Sequence, residues 1–292
     1  VPGSITWASG SGWHFAKWRS VFAFDIKRRI THIECAVVPA ALVLCGLLLT
    51  PEAPTTAGPS REAVQAFNNY VRVAESGLDA RLQAGDLFLW ANTPERRQFL
   101  RRGSLVCEPR GEKGDRRAPG GLIHDWIGAV FIPKVTLGEV LELLQDYDNH
   151  KNTYQPVVVD SKTLERKGND FKIRLRLFKR KLITVVLNSE YDVRYQPINS
   201  LCWHSRSRST RIVEIRDPGG PQEREMPAGR DRGFLWRLNS YWAFNERDGG
   251  VYVECEAISL SRSIPSALAW LLDPMVRNLP KEFLGDTLTA TR

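Results

Sequence analysis

Histidine and cysteine are the side chains best suited to metal or nucleophilic chemistry, and here their spacing supports neither. His124, His150 and His204, the histidines beyond residue 57, each lack a second ligand at a metal-binding interval. His124 and Asp125 are adjacent, so on a strand they point to opposite faces. No Gly-x-Ser-x-Gly elbow, His-Glu-x-x-His helix or glycine-rich phosphate loop occurs. Motifs therefore assign no catalytic residue, no metal and no cofactor. Cys107, Cys202 and Cys255 remain beyond residue 57. Cys202 and Cys255 fall on strands two spacings apart, about 9–10 Å, too far for a disulfide. They read as small buried hydrophobes.

A different pattern carries more information. The run 201–215 alternates, with Trp203, Ser205, Ser207, Ser209 and Arg211 on one face and His204, Arg206, Arg208 and Thr210 on the other. Neighbouring runs add Tyr191, Trp236, Ser240, Trp242 and Ser259 to the first face. An aromatic stripe alone is ordinary core. Small hydroxyl residues on an inward face are different: they leave volume unfilled, and once buried they need hydrogen-bond partners. A cavity holding a ligand with polar atoms satisfies both requirements. The candidate ligand-binding residues are thus Tyr191, Trp203, Ser205, Ser207, Ser209, Arg211, Trp236, Ser240, Trp242 and Ser259. Arg211 is read either as a partner for an anionic head group or as a strand-end side chain in solvent.

The elements that position these residues centre on a hairpin, 233–263, folded at Asp248-Gly249. Counting from that turn pairs Phe244 with Val253, Trp242 with Cys255, Ser240 with Ala257, Leu238 with Ser259 and Trp236 with Ser261. The opposite face pairs Asn245 with Tyr252, Ala243 with Glu254 and Tyr241 with Glu256, and is expected to be wet. Further strands are expected at 122–132, 157–164, 171–177, 182–195 and 201–215. Thr136 and Glu139 form a capping box for a short helix. A long apolar helix is expected over 266–288, kinked or broken at Pro274 and Pro280. Upstream, 61–82 has helical apolar spacing, and Thr93-Pro94-Glu95 opens a second helix. The stretch 108–121, rich in Gly, Pro and charge, reads as a mobile linker.

The formal net charge is +8 over 292 residues. Lys27-Arg28-Arg29, an apolar run at 36–50 and the small residues Thr55-Thr56-Ala57 form a tripartite export signal. The run is short for a membrane span, which needs roughly 20 residues. The expected location is periplasmic or extracellular, with an uncleaved anchor as the alternative. The organisation that follows is a tail and signal at 1–57, a helical extension with linker at 58–121, and a main domain at 122–292. Lys172, Arg174, Arg176, Arg194, Arg206 and Arg208 share the outer face with acids. They read as cross-strand pairs in solvent, or as a transient contact with an anionic membrane surface. Mixed charge and the absence of a recognisable module argue against nucleic acid. Nothing in the sequence sets an oligomeric state.

The element order, with the segments GGLIHDWIGAVFIP (120–133), GFLWRLNSYWAF (233–244) and EAISLSRSIP (256–265), resembles the START-like (SRPBCC) superfamily from about residue 122 onward. The resemblance implies an α+β helix-grip fold: a curved antiparallel sheet of about seven strands around a long C-terminal helix. It also implies a cavity between sheet and helix. The expected function is non-enzymatic binding or carriage of an apolar or amphipathic small molecule (lipid, isoprenoid or polyketide-like). The alternatives are a cyclase/dehydratase-type enzyme polarising its substrate with Tyr191 or Arg211, and a scaffold whose cavity is filled by its own side chains.

Overall fold

Two helices come first in the described chain, α1 (Arg61–Leu82) and α2 (Pro94–Arg101). Ser60 caps α1 by accepting from Ala63 N at 3.0 Å, and Thr93 caps α2 with Pro94 in its first turn. Next come two short strands, β1 (Val106–Pro109) and β2 (Asp115–Ala118), and the long β3 (Gly121–Pro133). The capping box of Thr136 and Glu139 starts α3 (Leu137–Gln145). A 3-10 turn (Tyr147–Asn149) leads into the four-residue α4 (His150–Thr153). Four long strands follow: β4 (Val158–Lys167), β5 (Asp170–Arg180), β6 (Thr184–Asn199) and β7 (Cys202–Arg216). The short β8 (Arg224–Glu225), the hairpin of β9 (Arg237–Arg247) and β10 (Gly250–Arg262), and the final helix α5 (Ser266–Thr291) complete the chain. This computed structural model describes residues 58–292 apart from 84, 86, 87, 112, 113, 181–183, 228, 264 and 265, with the side chains of 266–277 also outside the description. The export segment expected at 27–57 lies outside the described residues.

The strands form one open antiparallel sheet in the order β1-β3-β10-β9-β7-β6-β5-β4, with β2 on β3 and β8 on β7. Its seven long strands are those the sequence leads one to expect. Asp248 and Gly249 have φ of 58° and 77°, as a type I′ turn demands. The counted register holds for Phe244↔Val253, Trp242↔Cys255, Ser240↔Ala257 and Leu238↔Ser259. α5 lies against β3, β10 and β1 and is one helix through both prolines, so the expected break does not occur. Gly128 admits a close approach: a Cβ there would sit 2.7 Å from Leu288 Cδ1.

The other face of the sheet departs from expectation. The pairs Asn245/Tyr252, Ala243/Glu254 and Tyr241/Glu256 are buried, not wet. α1 covers the Tyr241 end of this face because its apolar stripe, including Phe67, Val71 and Leu78, finds Ile123, Ile258 and Leu260. Farther along, Phe88 and Leu100 pack with Phe131 and Tyr252. The supposed linker at 108–121 contributes β1 and β2 to the sheet edge, and the described residues form one compact unit.

Covering that face buries three carboxylates. Glu254 receives Arg81 Nη1 at 2.8 Å and Ala91 N at 3.0 Å. Glu256 faces Arg81 Nη2 at 3.3 Å and Arg110 Nε at 3.5 Å. Asp125 accepts from the Tyr70 hydroxyl at 2.8 Å. Arg208 Nη2 meets Glu75 Oε1 at 2.6 Å and Arg206 pairs with Asp79, so the outer basic residues of β7 clamp α1.

Burial, reinforced by the Glu256 carboxylate, pushes the Asp125 carboxyl up to about 7. The folded protein keeps a proton there that the unfolded chain, with an ordinary carboxyl near about 4, releases. This contribution is full below the ordinary carboxylate range and is lost as pH rises through about 7. Asp125→Asn fixes the neutral form. From about pH 5 to about pH 8 the thermal midpoint of the variant should gain on wild type; parallel profiles would contradict the assignment.

A candidate ligand cavity under the C-terminal helix

Three rows of side chains cross the inner face of the sheet. Tyr195, Ser205, Trp242, Cys255 and Gly128 align in the first row. Val193, Ser207, Ser240, Ala257 and Trp126 align in the second. The third pairs Leu238 with Ser259, Ser259 with His124 and His124 with Asp115. In the middle row three adjacent strands carry only Ser207, Ser240 and Ala257, so large neighbours bound a space that these residues do not fill. The result is a cavity of about 470 Å³. Leu238, Leu175, Leu187 and Val193 supply apolar wall from the sheet, and Leu279, Phe283 and Leu284 from α5.

A hydrogen-bonded tyrosine cluster lines part of the cavity. The Tyr147 and Tyr195 hydroxyls are 2.9 Å apart, and Tyr195 donates to Leu144 O at 3.3 Å. His150 Nε2 reaches the same carbonyl at 3.1 Å. Burial lowers His150 to about 4 and raises Tyr154 to about 12, so both are neutral near pH 7. The Tyr154 hydroxyl meets Thr291 Oγ1 at 3.1 Å, tying the end of α5 to this cluster. Burial likewise drives the Cys255 thiol well above its ordinary value, leaving it an inert wall group.

Two wall hydroxyls have no such bonds. Ser205 Oγ and the Tyr191 hydroxyl are buried without a hydrogen-bond partner among the described residues. Ser189, near Tyr191, donates its hydroxyl to Leu175 O at 3.0 Å. Burial pushes Tyr191 up to about 12, so it stays a neutral phenol.

Of the residues expected at the site, the structure brings Tyr191, Ser205, Ser207, Ser240, Trp242 and Ser259 together on the cavity wall. Four expected residues do not line it. Arg211 is turned outward by a bulge: Ser209 pairs with Tyr191 but Arg211 with Glu190, so Thr210 is the extra residue and the alternation inverts. Its guanidinium donates to Glu225 Oε1 at 3.0 Å. Ser209 lies beyond the last β7–β9 pair and accepts from Leu238 N at 3.0 Å. Trp203, paired with Phe244, packs on the core beside the cavity. Trp236 is on the opposite face, under α1 with Phe67 and Ile258. Its predicted pairing with Ser261 fails because Trp236 N bonds Leu260 O, and Arg262 N bonds Gly233 O, both at 2.7 Å. Gly233 makes this bow feasible: its φ is 78°, and a Cβ would lie 2.5 Å from Arg262 Cβ.

Sequence reasoning missed the polar end of the cavity. His124 lines it and is not alone: Nδ1 is 2.7 Å from Asp115 Oδ1, and Nε2 is 2.9 Å from Ser261 Oγ. The signal was the alternation of 122–132 itself, which puts His124 inward. Its partners come from two other strands, Asp115 from the preceding β2 and Ser261 from the distant β10.

No protein-family model and no curated protein matches this chain. Among solved structures it is similar to a STAR-related lipid transfer protein fragment from Xanthomonas axonopodis, at 18% identity and TM-score 0.41, covering 65% of this chain and 98% of that one. An aromatase/cyclase from Streptomyces is similar at 12% identity and TM-score 0.41, over 58% of this chain and 91% of that one. Human STARD10 is similar at 10% identity and TM-score 0.38, over 68% and 79%. Strand order and the C-terminal helix give the chain a helix-grip fold, an open antiparallel sheet with a long C-terminal helix against it.

The contrast between bonded and orphan tyrosines is measurable. Tyr195→Phe strands the Tyr147 hydroxyl and should cost about 1–3 kcal/mol in urea denaturation. Tyr191→Phe should change stability by less than about 0.5 kcal/mol. Equal costs would mean that the Tyr191 hydroxyl is bonded within the protein.

Proposed function

We propose that this protein binds or carries an apolar or amphipathic small molecule in the cavity between sheet and α5. The observation that carries this reading is an apolar space of about 470 Å³ faced by two buried hydroxyls, Tyr191 and Ser205, that have no hydrogen-bond partner among the described residues. Buried polar atoms without partners are costly unless something else supplies the bond. A ligand with an apolar body and one or two polar atoms meets that need, and the volume is within the range of small-molecule sites. The cyclase-type reading loses one of its two groups, because Arg211 faces outward. A self-filled scaffold does not account for the small row of Ser207, Ser240 and Ala257. The segment at 27–57 supports a place for this activity outside the cytoplasm.

The test is to fill the middle row. Wild type should bind a fluorescent fatty acid with saturable stoichiometry of one. Ser207→Phe should weaken binding by about tenfold or more, while its thermal midpoint stays within a few degrees. A parent that binds nothing, with a variant that loses stability as an overpacked core does, would contradict the proposal.

A further inference from the structure

Asp115, His124 and Ser261 come from β2, β3 and β10, three strands side by side. Asp115 is directly opposite His124, and Ser261 is two residues along β10 from Ser259, the cross-strand partner of His124. All three side chains therefore share the inner face. The Asp115 and His124 side chains are 3% and 2% exposed. With Asp115 Oδ1 at 2.7 Å, the carboxylate holds the imidazole proton on Nδ1. Nε2 is then the acceptor, and Ser261 Oγ stands 2.9 Å from it. The competing acceptor for the Ser261 hydroxyl, Arg262 O, is farther at 3.4 Å.

From this arrangement we infer a serine acyl-transfer site built into the cavity wall, with Ser261 as nucleophile, His124 as base and Asp115 as the positioning residue. Its substrate class is an ester or thioester with an apolar acyl chain. The inference rests on the proposed ligand cavity and names a substrate class for it. Order in the chain is no objection, since such constellations are defined by geometry and role. A purely structural pin between β2 and β3 needs only the Asp115–His124 bond. It gives no reason for the free nitrogen to face a hydroxyl that lines an apolar space, as both His124 and Ser261 do.

The chemistry balances with water as the second substrate. Ser261 Oγ bonds the carbonyl carbon as its proton passes to His124 Nε2. The carbonyl re-forms, the alcohol or thiol leaves with that proton, and an acyl-serine remains. Water then adds to the acyl carbon, giving a proton to His124. Collapse breaks the bond to Ser261 Oγ, which recovers the proton, and the carboxylic acid is released. Asp115, acting through His124, fixes the tautomer without touching substrate.

The test uses the full described chain with a long-chain alkyl fluorophosphonate and a p-nitrophenyl ester of a medium-chain fatty acid. Wild type should be labelled once, on the peptide containing Ser261, and should hydrolyse the ester. Ser261→Ala and His124→Gln should each lower turnover by at least about 100-fold. Asp115→Asn should lower it and also displace the pH–rate profile, a change that loss of a structural pin would not produce. Ser261→Ala should keep a thermal midpoint within a few degrees of wild type, which shows that the variant is folded. If wild type binds the fatty acid but is neither labelled at Ser261 nor hydrolytic, the acyl-transfer site is overturned and the ligand cavity stands. If wild type does neither, both readings fail.

Discussion

Ser207, Ser240 and Ala257 stand shoulder to shoulder on β7, β9 and β10, while α5 rests on Gly128 of the next strand, β3. That placement sets the geometry of everything on the inner face. Leu288 and Leu284 approach β3 closely because Gly128 has no side chain, so the end of the helix is anchored at the sheet's β3 side. The large side chains in the flanking rows, with Trp242 and Tyr195 on one side and Leu238 and His124 on the other, keep the walls apart. Close packing would require the middle row to be filled. It is not, and the space left opens onto hydroxyls that have no hydrogen-bond partner among the described residues.

The outer face answers a different constraint. A sheet whose inner side encloses a cavity loses part of the packing that a solid core would supply. α1, α2 and the segment between them restore apolar burial on the other side, and they do so around buried carboxylates. Arg81 is the pivot of that arrangement, since it meets both Glu254 and Glu256. A buried pair of this kind is weak evidence of net stability but a strong determinant of register, because breaking it leaves an uncompensated charge. α1 is thereby fixed in one position across β3, β10 and β9.

Period-two alternation and turn chemistry made much of this legible from the sequence. The Asp248-Gly249 turn alone sets the register of Trp242, Phe244 and Ser240, and the seven long strands follow their alternating runs. What was missed has physical causes of three kinds. Arg211 and Trp236 were misplaced because a bulge at Thr210 and a bow at Gly233 each change the phase of a strand, and neither leaves a hydrophobic signature. The burial of Glu254 and Glu256 was missed because it depends on α1 docking, a tertiary event, although Ile258 and Leu260 on the same face hinted at a covering element. Asp115 was missed because its segment, EPRGEKGDRRAPGG, has the composition of a linker while its backbone pairs with β3. His124 thus looked solitary, its two partners lying nine and 137 residues away.

The account depends most directly on the cavity being a real receptacle for an apolar molecule. Native mass spectrometry of the protein purified from its cells without detergent tests this in one measurement. The account predicts a population carrying one additional molecule per chain, removable by organic solvent, and a stripped protein that takes up one added fatty acid. A single apo mass that remains unchanged after incubation with fatty acid would contradict it.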